Sequence, residues 1–331
     1  MNNIEGNDRF VKSLISEIER YLEEKYELIV EAKYMSVLKT NGPLDAISVR
    51  FPDDQGRNIS PTLYIDDAFN RFKEGEPLKV IAKSMAEASI EAHIHNPALP
   101  DLTPEEARRH ITLTLVNTER NEQLLAKTPH FEIGDLSAIP RWYINDNASF
   151  VVNNDVAASL MMTPDEVLSI GQQNINSQQF EIKPMQEILR DMFAEEGMDL
   201  EMMDIMMPPE MDGPQMIVMT SQSHIQGANV LLSEESLDRV HEMLGDYIIL
   251  PSSTHEVIAI PADDRMSPEE LRNMVHEVNV TQVGPQDFLS DNIMKYDGQK
   301  LSLVRDDLKM DALKVGLKLD ERTVNYAGMA M

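Results

Sequence analysis

The sequence predicts an α+β protein of successive helix-and-strand modules with mainly antiparallel sheets. Three observations carry that prediction. Apolar residues recur at helical spacing near the start of the chain, in Phe10, Leu14, Ile18, Tyr21 and Leu22. Short apolar runs alternate with clusters of Asn, Asp, Gly and Pro, the pattern of strands joined by tight turns. Thr163-Pro164-Asp165-Glu166 and Ser267-Pro268-Glu269-Glu270 both have the make-up of a helix start, with a capping hydroxyl, proline at the first helical position and acids in the first turn.

Taken in order, residues 1–100 read as one module. A helix over Asn7–Lys25 precedes strands over Glu27–Leu38, Ala46–Phe51 and Asn58–Tyr64, with turns at Asn41-Gly42-Pro43 and Asp53-Asp54-Gln55-Gly56. Helices follow over Ile65–Lys73 and Pro77–Ala92, and Pro97, Pro100 and Pro104 mark an extended linker. A central module spans residues 110–195. It opens with a strand over Ile111–Val116 and a short helix over Glu119–Ala126. Strands are expected over Leu136–Ile144 and Ala148–Leu160, and a helix from Thr163 to about Asn174. Residues 196–214 are rich in Met, Pro and acids, a composition that proline alone keeps from being regular helix.

The C-terminal module spans residues 215–304. Gln215–Ser221 reads as a strand, Ala228–Leu232 as a short apolar run and Ser233–Leu244 as a capped helix. Tyr247–Pro251 and Glu256–Pro261 read as strands, Ser267 to about Asn279 as a helix, and Phe288–Tyr296 with Lys300–Val304 as a hairpin around Asp297-Gly298. Residues 305–331 form a tail of alternating charge, expected to be partly ordered.

Composition narrows the function. The chain has 331 residues, no cysteine and a formal net charge of −28. Disulfides, thiolate metal sites and thiol nucleophiles are excluded. The first twenty residues are polar and helical, so no signal peptide is expected, and no apolar run approaches the ~18 residues of a membrane span. The expected location is the cytoplasm. The acids are spread along the chain, which opposes binding to phosphate backbones and anionic lipid. No direct nucleic-acid or membrane partner is expected.

The best polar cluster follows the first central strand: Asn117, Arg120 and Asn121, with His130 further on. These groups are candidates to line a binding pocket, although Asn117 also suits the cap of the next helix and Arg120 an ion pair. Glu91, His93 and His95 would share one face of a strand and there suit a divalent ion. On a helix His93 and His95 diverge by ~200°. The segment reads as a helix end, so no metal is expected, and no cofactor motif occurs elsewhere. Ser252-Ser253-Thr254-His255-Glu256 holds the residue types of a nucleophile and its base, but neighbours on one loop rarely face each other. Met202, Met203, Met206, Met207 and Met211 supply flexible apolar area suited to a partner contact.

From Ile111 onward the wording resembles a known family. The carriers are ITLTLVN, TERNEQLLAKTPH, DLSAIPRWYI, ASFVVNND and TPDEVLSIGQQN, and then the stretches GANVLLSEESLDRVHEMLGDYIILPSSTHEVIAIP and MSPEELRNMVHEVNVTQVGPQDFLSDNIMKYDGQKLSLV. Over about Asn7 to Val304 the chain resembles an uncharacterised bacterial family, domain of unknown function 5688. A fainter likeness is to the YtpP-like proteins. The resemblance implies a compact cytoplasmic protein and brings no catalytic residue with it. The expected function is a non-enzymatic protein-interaction module holding a protein partner. The alternatives are an acidic DNA-mimic inhibitor of a nucleic-acid enzyme, or a hydrolase with its site near Asn117–His130.

Overall fold

The structure, a computed structural model, describes residues 4–52, 61–95, 101–145, 148–195, 197, 215–263 and 265–304. Three antiparallel sheets with flanking helices make up the α+β fold. The Met/Pro-rich stretch that contains Met202, Met203, Met206, Met207 and Met211 lies outside the described residues.

Helix α1 (Ile4–Tyr26) buries the stripe read from its spacing: Phe10, Leu14, Ile18 and Leu22 all face inward. Each such side chain contributes roughly 1.5–3 kcal/mol when fully buried. They pack on Ile81, Ala82, Met85 and Ala86 of α3 (Leu78–Ile94) and on a three-stranded sheet. That sheet is β1 (Glu31–Lys39), β2 (Gly42–Arg50) and β3 (Thr62–Tyr64), in that order. Helix α2 (Asp66–Lys73) adds Phe69, whose ring centroid lies 5.2 Å from that of Phe10. The β1–β2 ladder closes on Lys39 opposite Gly42, so Thr40 and Asn41 form a two-residue tip. Asn41 has φ +65°, a left-handed conformation that asparagine tolerates better than most residues.

Pro104 does not continue a linker. Thr103 accepts a hydrogen bond from Glu106 N, and Pro104 opens α4 (Pro104–His110), because a cap with proline behind it starts a helix. The central sheet is built on β6 (Leu136–Asn145). One side pairs with β4 (Ile111–Asn117), and the other with β5 (Phe131–Ile133) and then β7 (Ala148–Val151). A 3₁₀ turn (Glu119–Asn121) and the short α5 (Glu122–Leu125) link β4 to β5. The strand expected over Ala148–Leu160 stops at Val151. Asn153 Oδ1 accepts from Val156 N at 2.9 Å, and that cap begins α6 (Asn154–Ser159).

Helix α7 (Pro164–Ser177) starts at the expected capping box, with Thr163 and Glu166 bonded reciprocally. Its Gly171 lies against β4, where an added Cβ would meet the Leu113 side chain at 2.7 Å. Two elements carried no clear signal: β8 (Phe180–Pro184) and α8 (Met185–Glu195). Strand β8 exists because it pairs with β9 (Ile217–Ser221), far along the chain.

The six-stranded sheet runs β13-β12-β10-β11-β9-β8. Its further strands are β10 (Tyr247–Leu250), β11 (Glu256–Pro261), β12 (Met294–Tyr296) and β13 (Leu301–Leu303). The apolar run Ala228–Leu232 is a buried 3₁₀ segment (Gly227–Leu232), followed by α9 (Glu234–Leu244) capped by Ser233. Helix α10 (Pro268–Thr281) has the second capping box, Ser267 with Glu270. The last hairpin closes on Tyr296 opposite Leu301, so its loop has four residues, with Asp297 Oδ1 accepting from Gln299 N and Lys300 N. Leu113, Leu115 and Ala138 of the central sheet share one core with Ile217, Met219, Tyr247, Ile249 and Val257 of the six-stranded sheet.

Candidate functional site

Strand β4 ends at Asn117, and the chain turns sharply there. Asn117 Oδ1 accepts from Arg120 N at 3.0 Å, the capping role its type suits. Its Nδ2 donates to Leu289 O at 3.0 Å, on the segment leading into β12. Asn121 is buried; its Nδ2 donates to Asn117 O at 2.7 Å and to Asn41 Oδ1 at 2.9 Å. In return Asn121 Oδ1 accepts from Asn41 N at 2.8 Å. Asn41 Nδ2 reaches the carbonyls of Pro285, Gln286 and Phe288, the last at 2.7 Å. Three asparagines thus tie the β1–β2 tip, the end of β4 and the segment before β12 into one joint.

Arg120 is exposed and lies over the Phe288 ring, 3.3 Å from its centroid, so it meets an aromatic face rather than an acid. His130 stands apart. It is exposed, and its Nδ1 lies 2.8 Å from Thr128 O. Asp135 adds to the joint by accepting from Ser290 Oγ at 2.6 Å and Asn292 Nδ2 at 2.9 Å. Asn41, Asp135 and Ser290 escaped the sequence reading. Asn41-Gly42 signalled a turn, and no local pattern tells where a turn's tip will dock.

Beside the joint, one face of the central sheet carries a polar patch next to the small apolar cluster of Val116, Leu125 and Ile139. Arg141 on β6 stands opposite Thr112 on β4 and Val151 on β7. Its Nη1 donates to Ser149 Oγ at 3.0 Å, and its Nη2 lies 3.5 Å from Thr40 Oγ1 at the hairpin tip. Its Nε is enclosed with no acceptor, and Thr112 Oγ1 is likewise enclosed without a partner. Among the described residues no carboxylate pairs with Arg141. Burial pushes its guanidinium below the ordinary value and pushes the Tyr143 phenol up. The Thr114 hydroxyl donates to the side-chain oxygen of Gln226, which holds the left-handed region at φ +53°.

In the Ser252–Glu256 loop, Ser253 Oγ accepts from His255 N at 3.0 Å, while the His255 ring faces Asp287, with Nε2 3.2 Å from Oδ1. The serine is held by backbone and the histidine by an acid. Glu91 and His93 lie on helix α3; His93 stacks on Phe51 with centroids 4.2 Å apart, and His95 Nδ1 turns to Glu91 O. Among the described residues no group of three or more His, Asp or Glu is placed to hold a metal ion, and no helix is long and apolar enough to cross a membrane.

Strand β1 is an edge of its sheet. Val49 N and Ile65 N bond across β2 and β3, so Ala46 and Ser48 face β1, and their partners Met35 and Lys33 face back. Ala32, Tyr34, Ser36 and Leu38 therefore aim their backbone groups outward. Ala32 N is taken by Glu19 Oε1 at 2.9 Å. Beyond it Tyr34, Met35 and Leu38 are exposed at 50%, 40% and 39%.

The arrangement defines an α+β protein of three antiparallel sheets, locked by an asparagine joint. The chain belongs to a family of unknown function, DUF5688, whose model matches residues 7–298. That match bears out the first resemblance and lends nothing to the likeness with the YtpP-like proteins. No curated protein and no solved structure matches the chain.

Proposed function

We propose that this chain is a non-enzymatic protein-interaction module of the bacterial cytoplasm that takes an extended segment of a partner protein along β1. The observation that carries the reading is the outward edge at Tyr34, Ser36 and Leu38. Its backbone groups have no partner among the described residues, and large apolar side chains flank them. A free edge of this kind is a template for strand addition, in which backbone bonds supply affinity and alternate side chains supply selection. Glu19 covers the edge at Ala32, so the segment that fits is short, about five residues at the spacing of a strand. The hydrolase reading near Asn117–His130 is weaker, because Asn117 and Asn121 spend their polar groups on the joint.

The test uses Ser36→Pro in the full chain. Ser36 N points away from β2, so proline removes an outward donor and leaves the ladder intact. Wild type should retain a partner protein in affinity capture, with slowed amide exchange at Tyr34, Ser36 and Leu38 in the complex. Ser36→Pro should lose the partner at unchanged unfolding midpoint. Equal capture by both proteins, unprotected edge amides in the complex, or a second copy of the chain as the occupant would each sink the reading.

A further inference from the structure

We infer that a polar patch on one face of the central sheet is a binding site for a carboxylate group, centred on Arg141. This goes beyond the edge-strand reading and rests on different residues. The chain carries 57 acidic and 29 basic side chains, yet no carboxylate among the described residues meets this guanidinium. A largely desolvated cation without a counter-ion is costly, and folding normally supplies the acid. Here it supplies hydroxyls instead. Ser149 and Thr40 touch the guanidinium, Thr112 stands opposite it in register with an unpartnered oxygen, and Tyr143 and Thr114 lie on the same face.

Hydroxyl groups rotate to donate, so a ring of them beside one guanidinium suits an anion better than a cation or a neutral ligand. The class follows from shape and charge. A guanidinium fork matches the planar, two-oxygen carboxylate. A single positive charge neutralises a monoanion, whereas a dianionic phosphate would leave negative charge uncompensated in a chain of net charge −28. The site is not sealed: Arg141, Tyr143, Thr112, Ser149 and Thr40 all keep partial exposure. Thr40 comes from the hairpin tip of the N-terminal unit, so an occupied site would brace the same joint as Asn41.

The test is thermal unfolding of the full chain at neutral pH in sodium acetate, sodium chloride and sodium phosphate at matched ionic strength. Acetate should raise the midpoint saturably, by about 2 °C at roughly tenfold over its Kd. Chloride and phosphate should not. Arg141→Met should lose the acetate response while unfolding at or above the wild-type midpoint without acetate, because an uncompensated charge has gone. A second readout needs no neutral variant: the ¹⁵N–¹H signal of Arg141 Nε, identified by its loss in Arg141→Lys, should shift as acetate is added. Equal responses to acetate and chloride, an acetate response kept in Arg141→Met, or an unmoved Nε signal would overturn the site. A response to phosphate alone would overturn the carboxylate assignment.

Discussion

Asn41 and Asn121 hold one another through two reciprocal hydrogen bonds, backbone amide to side-chain carbonyl at 2.8 Å and side-chain amide to side-chain carbonyl at 2.9 Å. Residues 80 apart in sequence thereby fix the N-terminal hairpin to the end of β4. Replacing Asn121 with Ala leaves Asn41 N and Asn117 O without these partners. The expected loss is about 2–3 kcal/mol, the cost of stranding polar groups in a buried place. Denaturant unfolding measures it. A loss below roughly half a kcal/mol would mean that water replaces the amide and that the joint is not a stabilising contact.

Gly227 is where β9, the 3₁₀ segment and the Ser252–Glu256 loop crowd together. A Cβ there would stand 2.1 Å from His255 O and 2.7 Å from Ser221 N, both backbone atoms that cannot swing aside. Gly227→Ala should cost at least the upper end of the 1–3 kcal/mol typical of overpacking. Gly75 is the control. Its φ of +97° strains alanine, but nothing lies within 4 Å, so Gly75→Ala should cost about 1 kcal/mol. Unfolding midpoints that rank the two in the opposite order would show that the Gly227 backbone moves freely.

The two capping boxes make a pH prediction. Backbone hydrogen bonds from Thr163 and Ser267 hold the Glu166 and Glu270 carboxyls below their ordinary value of 4.5. A carboxyl depressed in the folded state stabilises it above the unfolded value. That contribution fades as pH falls from about 4.5 through the lower folded value. The double variant Glu166→Gln, Glu270→Gln should therefore show a shallower loss of stability between pH 5 and 3, on the order of a unit either side of that range. Urea midpoints across this range decide it; parallel curves for the two proteins would refute the assignment.

Neighbouring prolines on β1 should behave differently. Met35 exchanges ladder bonds with Ala46, while Ser36 points its amide outward. Met35→Pro should cost about 3 kcal/mol or prevent folding, and Ser36→Pro should stay within about 1 kcal/mol of wild type. Circular dichroism and thermal unfolding of both variants test the register of the strand independently of any partner.

The sequence by itself determined the α+β class, the stripe on α1, the capped starts of α7 and α10, and most of the strands. These depend on chemistry within a few residues: helical spacing, a cap hydroxyl, a proline, an acid three places on. It also marked Asn117, Arg120 and Asn121, because polar residues just after an apolar strand stand out locally. Tertiary structure alone decided what they do. Asn121 meets Asn41, and Asn117 meets Leu289, 172 residues away. Strand β8 is short and weakly patterned, and it is a strand only because β9 offers it a ladder. Arg141 reads locally as an ordinary basic residue on a strand. Only the folding of Thr40 and Ser149 around it, with no acid among the described residues brought within reach, leaves it a desolvated charge. Short-range bonding is written in neighbouring letters, whereas a side chain's dielectric surroundings depend on which distant segments happen to cover it.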